Sequence, residues 1–176
     1  MKKITFLLLA GLLTQAHADE IAIQMRGNII ANTCSVDSAS QNLTIDLGQA
    51  ASSDFKDVGD TGEWKNFDLT LSKCPSTTTL ATATFNGQAD SAHPTKFAST
   101  GSSGGLALEL ADRLDRITIA PQASFSALVN QSDHSVDFPL AARYYATSMP
   151  VSAGLFFSDA ATTEIYPPFP TRRSSD

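Results

Sequence analysis

DEIAIQMRGNII, residues 19–30, alternates apolar and polar positions: Ile21, Ile23, Met25, Gly27 and Ile29 fall on one side, and Ala22, Gln24, Arg26 and Asn28 on the other. A period of two sustained over nine residues is a β-strand with one apolar face. No turn signal follows soon enough to fold it into a hairpin, since the next glycine after Gly27 is Gly48 and no Asn-Gly or Asp-Gly lies between. A strand with an apolar side and no local partner has to find its sheet elsewhere, in its own domain or in another's.

The residues before it set the compartment. Lys2 and Lys3 precede an apolar run over residues 4–13, and Ala16-His17-Ala18 is a small-x-small pattern, so residues 1–18 read as a signal peptide cleaved after Ala18. The run is too short to cross a bilayer as a permanent helix. Cys34 and Cys74 stand forty positions apart, which is neither a CxxC redox pair nor a zinc knuckle; in an exported chain they are expected to form a disulfide. With only two cysteines the pairing is fixed, and closing a loop of that size is worth about 4 kcal/mol on the chain-entropy account.

Cleavage after Ala18 leaves 158 of 176 residues, the size of a single core. Ten basic and eighteen acidic residues remain once Lys2 and Lys3 are removed, a net charge of −8. An acidic domain without a basic stripe argues against nucleic acid and against anionic membrane surfaces as partners. Sparse charge with abundant Ser, Thr and Ala suits strands and turns.

Short strand-like runs follow at turn-separated intervals. Residues 29–36 carry Cys34; Leu43, Ile45 and Leu47 alternate and stop at Gly48; residues 67–71 alternate and run into Cys74-Pro75. Residues 80–85 end at the turn signal Asn86-Gly87. Residues 93–105 read as loop, with the glycine-rich end GSSGG at 101–105 expected to be flexible. Residues 106–110 alternate, 117–120 form a short companion, and 136–144 make the longest run, with Val136, Phe138, Leu140, Ala142 and Tyr144 on one face. Many short strands of this kind point to an antiparallel β-sandwich. Leu106, Leu110 and Leu114 also fit helical spacing, so a helix over 106–116 stays open, with strand favoured.

Chemistry-bearing constellations are sparse. His93 and His134 sit in polar, loop-like sequence, and Asp133-His134-Ser135 has triad residue types whose adjacency in a loop prevents the nucleophile-base-orienter relay. The 101–105 loop lacks the Lys-Ser/Thr and the following helix of a phosphate loop. Carboxylates are scattered with no persuasive acid/base pair. Asn42-Leu43-Thr44 and Asn130-Gln131-Ser132 match a glycosylation sequon that matters only in a host able to use it.

Taken together, the alternating strand with Gly27, the Cys34 to Cys74 spacing, LTIDLG at 43–48, ATFNGQAD at 83–90, LALEL at 106–110 and FPLAARY at 138–144 through PVSAG at 150–154 resemble the pilin subunits of chaperone-usher fimbriae. The likeness is greatest to the minor subunits of type 1 fimbriae, spans residues 19–154, and rests on the combination and order of the motifs. It implies an all-β, incomplete immunoglobulin-like sandwich over residues 31–154 that lacks its last strand, with residues 19–30 as a donor-strand extension. A chaperone strand fills the gap in the periplasm, and in the fibre the extension of the next subunit does, a recognised case of strand addition. The implied partners are neighbouring pilin subunits, a periplasmic chaperone and an outer-membrane usher. The implied place is a fimbrium on the cell surface, reached through the periplasm and supporting cell adhesion. No enzyme activity and no cofactor are implied.

On this reading Ile21, Ile23, Met25 and Ile29 enter successive pockets of the neighbour, and Gly27 lies where only backbone fits. Burying four such side chains is worth about 6–12 kcal/mol before entropy costs, as an upper bound. Donor and acceptor are different surfaces, so the contact does not close on itself and builds a filament.

Residues 155–176, LFFSDAATTEIYPPFPTRRSSD, depart from the family pattern. Pro167, Pro168 and Pro170 cannot occupy a central strand. The stretch resembles translated sequencing-adapter read-through, so a non-native tail with little stable structure is expected there. One wall of the acceptor site would then be missing, and Tyr166 would not be the family's terminal tyrosine. Two other classes remain. A free-standing lectin-like module needs a sugar pocket, for which Trp64 is the sole tryptophan, and a small secreted hydrolase needs a nucleophile-base pair.

Overall fold

Period-two patterning builds the central strand. Along β7 (Val136–Ala146) the residues Val136, Phe138, Leu140, Ala142, Tyr144 and Ala146 share one face, and all are buried. This is a computed structural model, which describes residues 34–41 and 43–156 in full and the backbone of 161–166. β2 (Lys65–Ser72) pairs antiparallel with β7, from Lys65 opposite Ala142 to Leu71 opposite Val136, and brings Phe67, Leu69 and Leu71 to the same side. β5 (Leu106–Asp112) runs antiparallel along the other edge of β7. Two-residue strands finish this sheet: β1 (Ser35–Val36) beyond β2 and β4 (Phe97–Ala98) beyond β5.

A narrower sheet covers the apolar face. β3 (Leu80–Asn86) is its centre, flanked by β6 (Ser124–Leu128) and β8 (Ala161–Tyr166), both antiparallel to it. Ala81, Ala83 and Phe85 of β3 point inward and are buried, and Phe125 of β6 meets Phe138 of β7 edge-on with ring centroids 6.0 Å apart. The result is the expected all-β sandwich of two antiparallel layers around one core.

Several elements differ from the sequence reading. The 106–116 ambiguity resolves as strand: Leu108 and Leu110 are buried while Leu114, which a helix would have stacked with them, is 74% exposed in the turn after Asp112. Residues 43–47 join neither sheet, although Ile45 and Leu47 are buried. Alternation there reports which side chains reach the core, and a ladder also needs a free edge to pair with. Residues 117–120 contribute only the single pairing of Thr118 with Ala111. β6 has no counterpart among the expected strands, because only Phe125 and Ala127 face inward between serines.

The expectation of little stable structure over 155–176 fails over its first part. Phe156 is 1% exposed and lies edge-on to Tyr144 at 5.2 Å, and residues 161–166 form β8. The proline argument holds only where the prolines stand, from 167 on; Thr162, Thr163, Ile165 and Tyr166 before them are strand formers. The sheet edge that the sequence reading removed is therefore present. The signal peptide with its Ala18 cleavage point, the extension with Ile21, Ile23, Met25, Gly27 and Ile29, and residues 167–176 lie outside the described residues.

Candidate functional site

The two layers differ in width, with five strands facing three. β3 is hydrogen-bonded on both sides, whereas β8 pairs with β3 from Thr82 opposite Tyr166 to Asn86 opposite Ala161 and, among the described residues, with nothing on its far side. An edge of this kind presents a row of unpaired backbone groups to any extended chain that can reach it. Residues 151–156, after β7, border a cavity of about 410 Å³ lined by the apolar side chains of Phe55, Leu106, Tyr144, Val151, Leu155 and Phe156 together with Gln49 and the serines 52, 102, 103 and 152. An open backbone edge is what strand addition uses, with backbone bonds supplying affinity and pockets for alternate side chains selecting sequence.

The glycine-rich loop 101–105 is not the flexible segment expected of it. It is hydrogen-bonded along residues 147–155, the stretch that carries the chain from β7 towards β8.

Cys34 and Cys74 are bonded as expected, with an S–S distance of 2.08 Å, and are 3% and 5% exposed. The bridge sits at the end of the β1–β2 ladder, where Ser35 faces Ser72. It therefore ties the first described residues to the sheet that supports the core.

The other triad-like residues form a local turn. Asp133 Oδ1 accepts the Ser135 N–H at 3.1 Å and the Ser135 hydroxyl at 2.7 Å, so its carboxylate is occupied within its own loop. On the outer face of the larger sheet, and invisible to motif reading, lies an ionic cluster. Glu109 of β5 takes the Lys96 ammonium on Oε1 at 2.7 Å and the Arg143 Nε–H on Oε2 at 2.6 Å, and the Thr118 hydroxyl also donates to it at 3.1 Å. The Arg143 guanidinium lies 4.1 Å from the Trp64 ring centroid and that of Arg116 lies 4.8 Å from it, so the sole tryptophan is covered by cations. Burial pushes the Glu109 carboxyl up, but the hydrogen bonds and charges of Lys96 and Arg143 outweigh it and hold it below the usual glutamate value. Each charge has a partner, so the cluster reads as the fastening of residues 93–98 and 118 onto the sheet.

Tyr144 links the core to the irregular segment before β2. Its hydroxyl donates to the Gly48 carbonyl at 2.8 Å, and burial, with a smaller contribution from the Asp46 carboxylate, pushes its pKa up to about 12. The unfolded chain releases that proton near pH 10, so the native state holds it longer and folding stability falls as pH rises from about 10 towards 12. The loss reaches about 2–3 kcal/mol. Urea midpoints of wild type and Tyr144→Phe are expected to run parallel below pH 9.5 and to converge above it; a constant gap would refute the linkage.

Comparison with known proteins agrees with this architecture. The family model described as "Fimbrial protein" matches residues 23–166, which include β8. The S-fimbrial adhesin protein SfaS of Escherichia coli is 34% identical over 147 residues, covering 81% of this chain and 86% of that protein. The FimG protein of Escherichia coli is 32% identical over 127 residues, covering 72% and 73%. Among solved structures, the P pilus rod subunit PapA superposes with a TM-score of 0.63 over 76% of this chain and 98% of its own, at 18% identity, a likeness of fold. The chain belongs to the fimbrial protein family and has the fold of a pilus subunit.

Proposed function

We propose that this fimbrial subunit polymerises by donor-strand exchange, lending residues 19–30 to the next subunit and receiving the same stretch from the one before. The observation that carries the reading is β8, among the described residues the C-terminal one of the two open edges of a three-stranded layer that faces five strands. Ile21, Ile23, Met25 and Ile29 are the anchoring side chains, with Gly27 at the closest backbone approach. Before assembly the same edge is covered by a periplasmic chaperone, and an outer-membrane usher passes the subunit to the surface fimbria, where it supports adhesion. The signal peptide over residues 1–18 supplies the export step. A lectin-like role has less support, since Trp64 is already covered by Arg143 and Arg116.

The test uses the full mature chain, oxidised, with a fluorescent synthetic peptide of residues 19–30. A slowly dissociating one-to-one complex is expected by anisotropy and size exclusion, with Gly27→Val and Ile23→Asp peptides failing to bind. A chain that stays monomeric, takes up no peptide and forms no complex with a co-expressed fimbrial chaperone would be a free-standing domain.

A further inference from the structure

The chain between β7 and β8 must pass from one sheet to the other, and residues 102–105 grip it on the way. The Gly105 carbonyl accepts the Thr147 N–H at 2.8 Å and the Gly104 carbonyl accepts the Ser152 N–H at 3.0 Å. In return the Gly104 N–H donates to Ser152 Oγ at 2.8 Å. Further along, the Ser103 N–H donates to the Leu155 carbonyl at 2.8 Å and the Leu155 N–H donates to Ser102 Oγ at 3.0 Å. Backbone lies on backbone here with no space to spare. A Cβ on Gly154 would come within 2.6 Å of the Ser102 carbonyl carbon and the Ser103 nitrogen, and one on Gly105, whose φ is +80°, within 2.5 Å of the Ser148 oxygen. Immediately after the grip, Phe156 is locked into the core.

An edge strand can capture a newcomer only while its own backbone groups stay in line, because a strand that slips by one residue turns every side chain to the wrong face. β8 has a neighbour on one side only among the described residues, and residues 152–156, which precede it in the chain, are held by this grip and by the burial of Phe156. We infer that residues 102–105 act as a clasp that positions the open edge of β8 for strand capture, with Ser102, Ser152 and Gly154 as positioning residues. The inference rests on the strand-exchange reading above and adds the element that keeps the acceptor edge ready before the partner arrives. Loosening the clasp lowers the fraction of molecules whose edge is in register, and capture falls with that fraction.

Ser102→Ala/Ser152→Ala removes two side-chain hydrogen bonds without adding bulk, and Gly154→Ala drives a methyl group into the clasp. Ser126→Ala, which removes the hydroxyl contact with Thr82 on the outer face of the narrower sheet, is the control. With the full mature chain and the 19–30 peptide, the double variant is expected to capture peptide about tenfold more slowly than the control. Its β8 amides bonded to β3 should exchange faster, with the urea midpoint shifted no further than in the control. Gly154→Ala should act in the same direction and more strongly. Capture at the control rate overturns the clasp, and so does faster exchange that spreads equally to β2 and β7, which marks a general loss of structure. If the wild-type chain captures no peptide, the strand-exchange reading fails on its own, and β8 amides that exchange no faster in the double variant than in the control then overturn the clasp as well.

Discussion

Replacing Glu109 by glutamine is expected to lower folding stability by about 3–5 kcal/mol, the usual cost of removing one partner from a buried ion pair. Glu109 and Lys96 are 6% and 7% exposed, and their charged atoms are 2.7 Å apart. Glutamine keeps the shape and one acceptor oxygen but withdraws the negative charge, so the Lys96 ammonium is left in a poorly hydrated place with no counter-charge beyond the face of the Tyr145 ring, 4.9 Å away. The Arg143 Nε–H, now 2.6 Å from Oε2, loses its charged acceptor at the same time. A double replacement, Glu109→Leu with Lys96→Met, should cost less than the single one, because no charge is then stranded. Acid separates the contributions further. The Glu109 carboxyl titrates below the ordinary glutamate value in the folded state, so its contribution is full above about pH 4.5 and is lost as pH falls through that lower folded value. The urea midpoint of Glu109→Gln should lie far below wild type at pH 7 and close on it at the acid end. A difference under about 1 kcal/mol at pH 7 would show that the cluster is a surface ornament with no part in holding residues 93–98 to the sheet.

That cluster also shows where the sequence stops being legible. Lys96 and Arg143 are 13 and 34 positions from Glu109, and nothing in any local pattern pairs them; the register of β5 with β7, which sets Glu109 opposite Arg143, and that of β4 with β5, which sets Phe97 opposite Leu108, bring them together. The strands themselves were more readable. β2, β3 and β7 bury every second side chain against one core, and that burial is what period two encodes, while in β5 both faces are covered from Ala107 on. β6 escapes notice because its inward face is one phenylalanine and one alanine, and residues 43–47 mislead because buried alternation does not require a hydrogen-bonded neighbour. The prolines at 167, 168 and 170 constrain only the residues at and after 167, and β8 ends at Tyr166, directly before them. The GSSGG loop reads as flexible by composition, yet at Gly105, with φ +80° and the Ser148 carbonyl oxygen 2.5 Å from where a Cβ would stand, the backbones meet too closely for a side chain. The alternation of residues 19–30 and the cysteine pair are written locally, while the open edge of β8 and the contacts of residues 102–105 with 147–155 exist only in three dimensions.

Removing the Cys34–Cys74 bridge is expected to cost about 4 kcal/mol, because it closes a segment spanning 40 positions of an otherwise free unfolded chain. Its local effect should exceed that figure's implication for the domain as a whole. β1 consists of Ser35 and Val36 and pairs with β2 only through Ser72 and Leu71, supplemented by the Asp37 N–H to the Thr70 carbonyl at 3.0 Å. A ladder that short is marginal without a tether. In Cys34→Ala/Cys74→Ala the amides of residues 35–37 should therefore lose exchange protection at urea concentrations where β2 and β7 retain it, and the global midpoint should fall by an amount matching the roughly 4 kcal/mol. Chemical reduction of the wild-type chain should reproduce both effects. A double variant that keeps β1 protected and loses under about 1 kcal/mol would mean that core packing of Val36 and its neighbours anchors the strand by itself. The consequence reaches assembly, since residues 19–30 lie just upstream of Cys34. If residues 19–30 are the donor strand proposed above, then with the bridge intact a strand held by the neighbouring subunit would pull directly on the β2–β7 sheet. With it cut, the same pull is borne by two residues of β1, and fibres built from the variant should shed subunits under load that leaves the wild-type fibre whole.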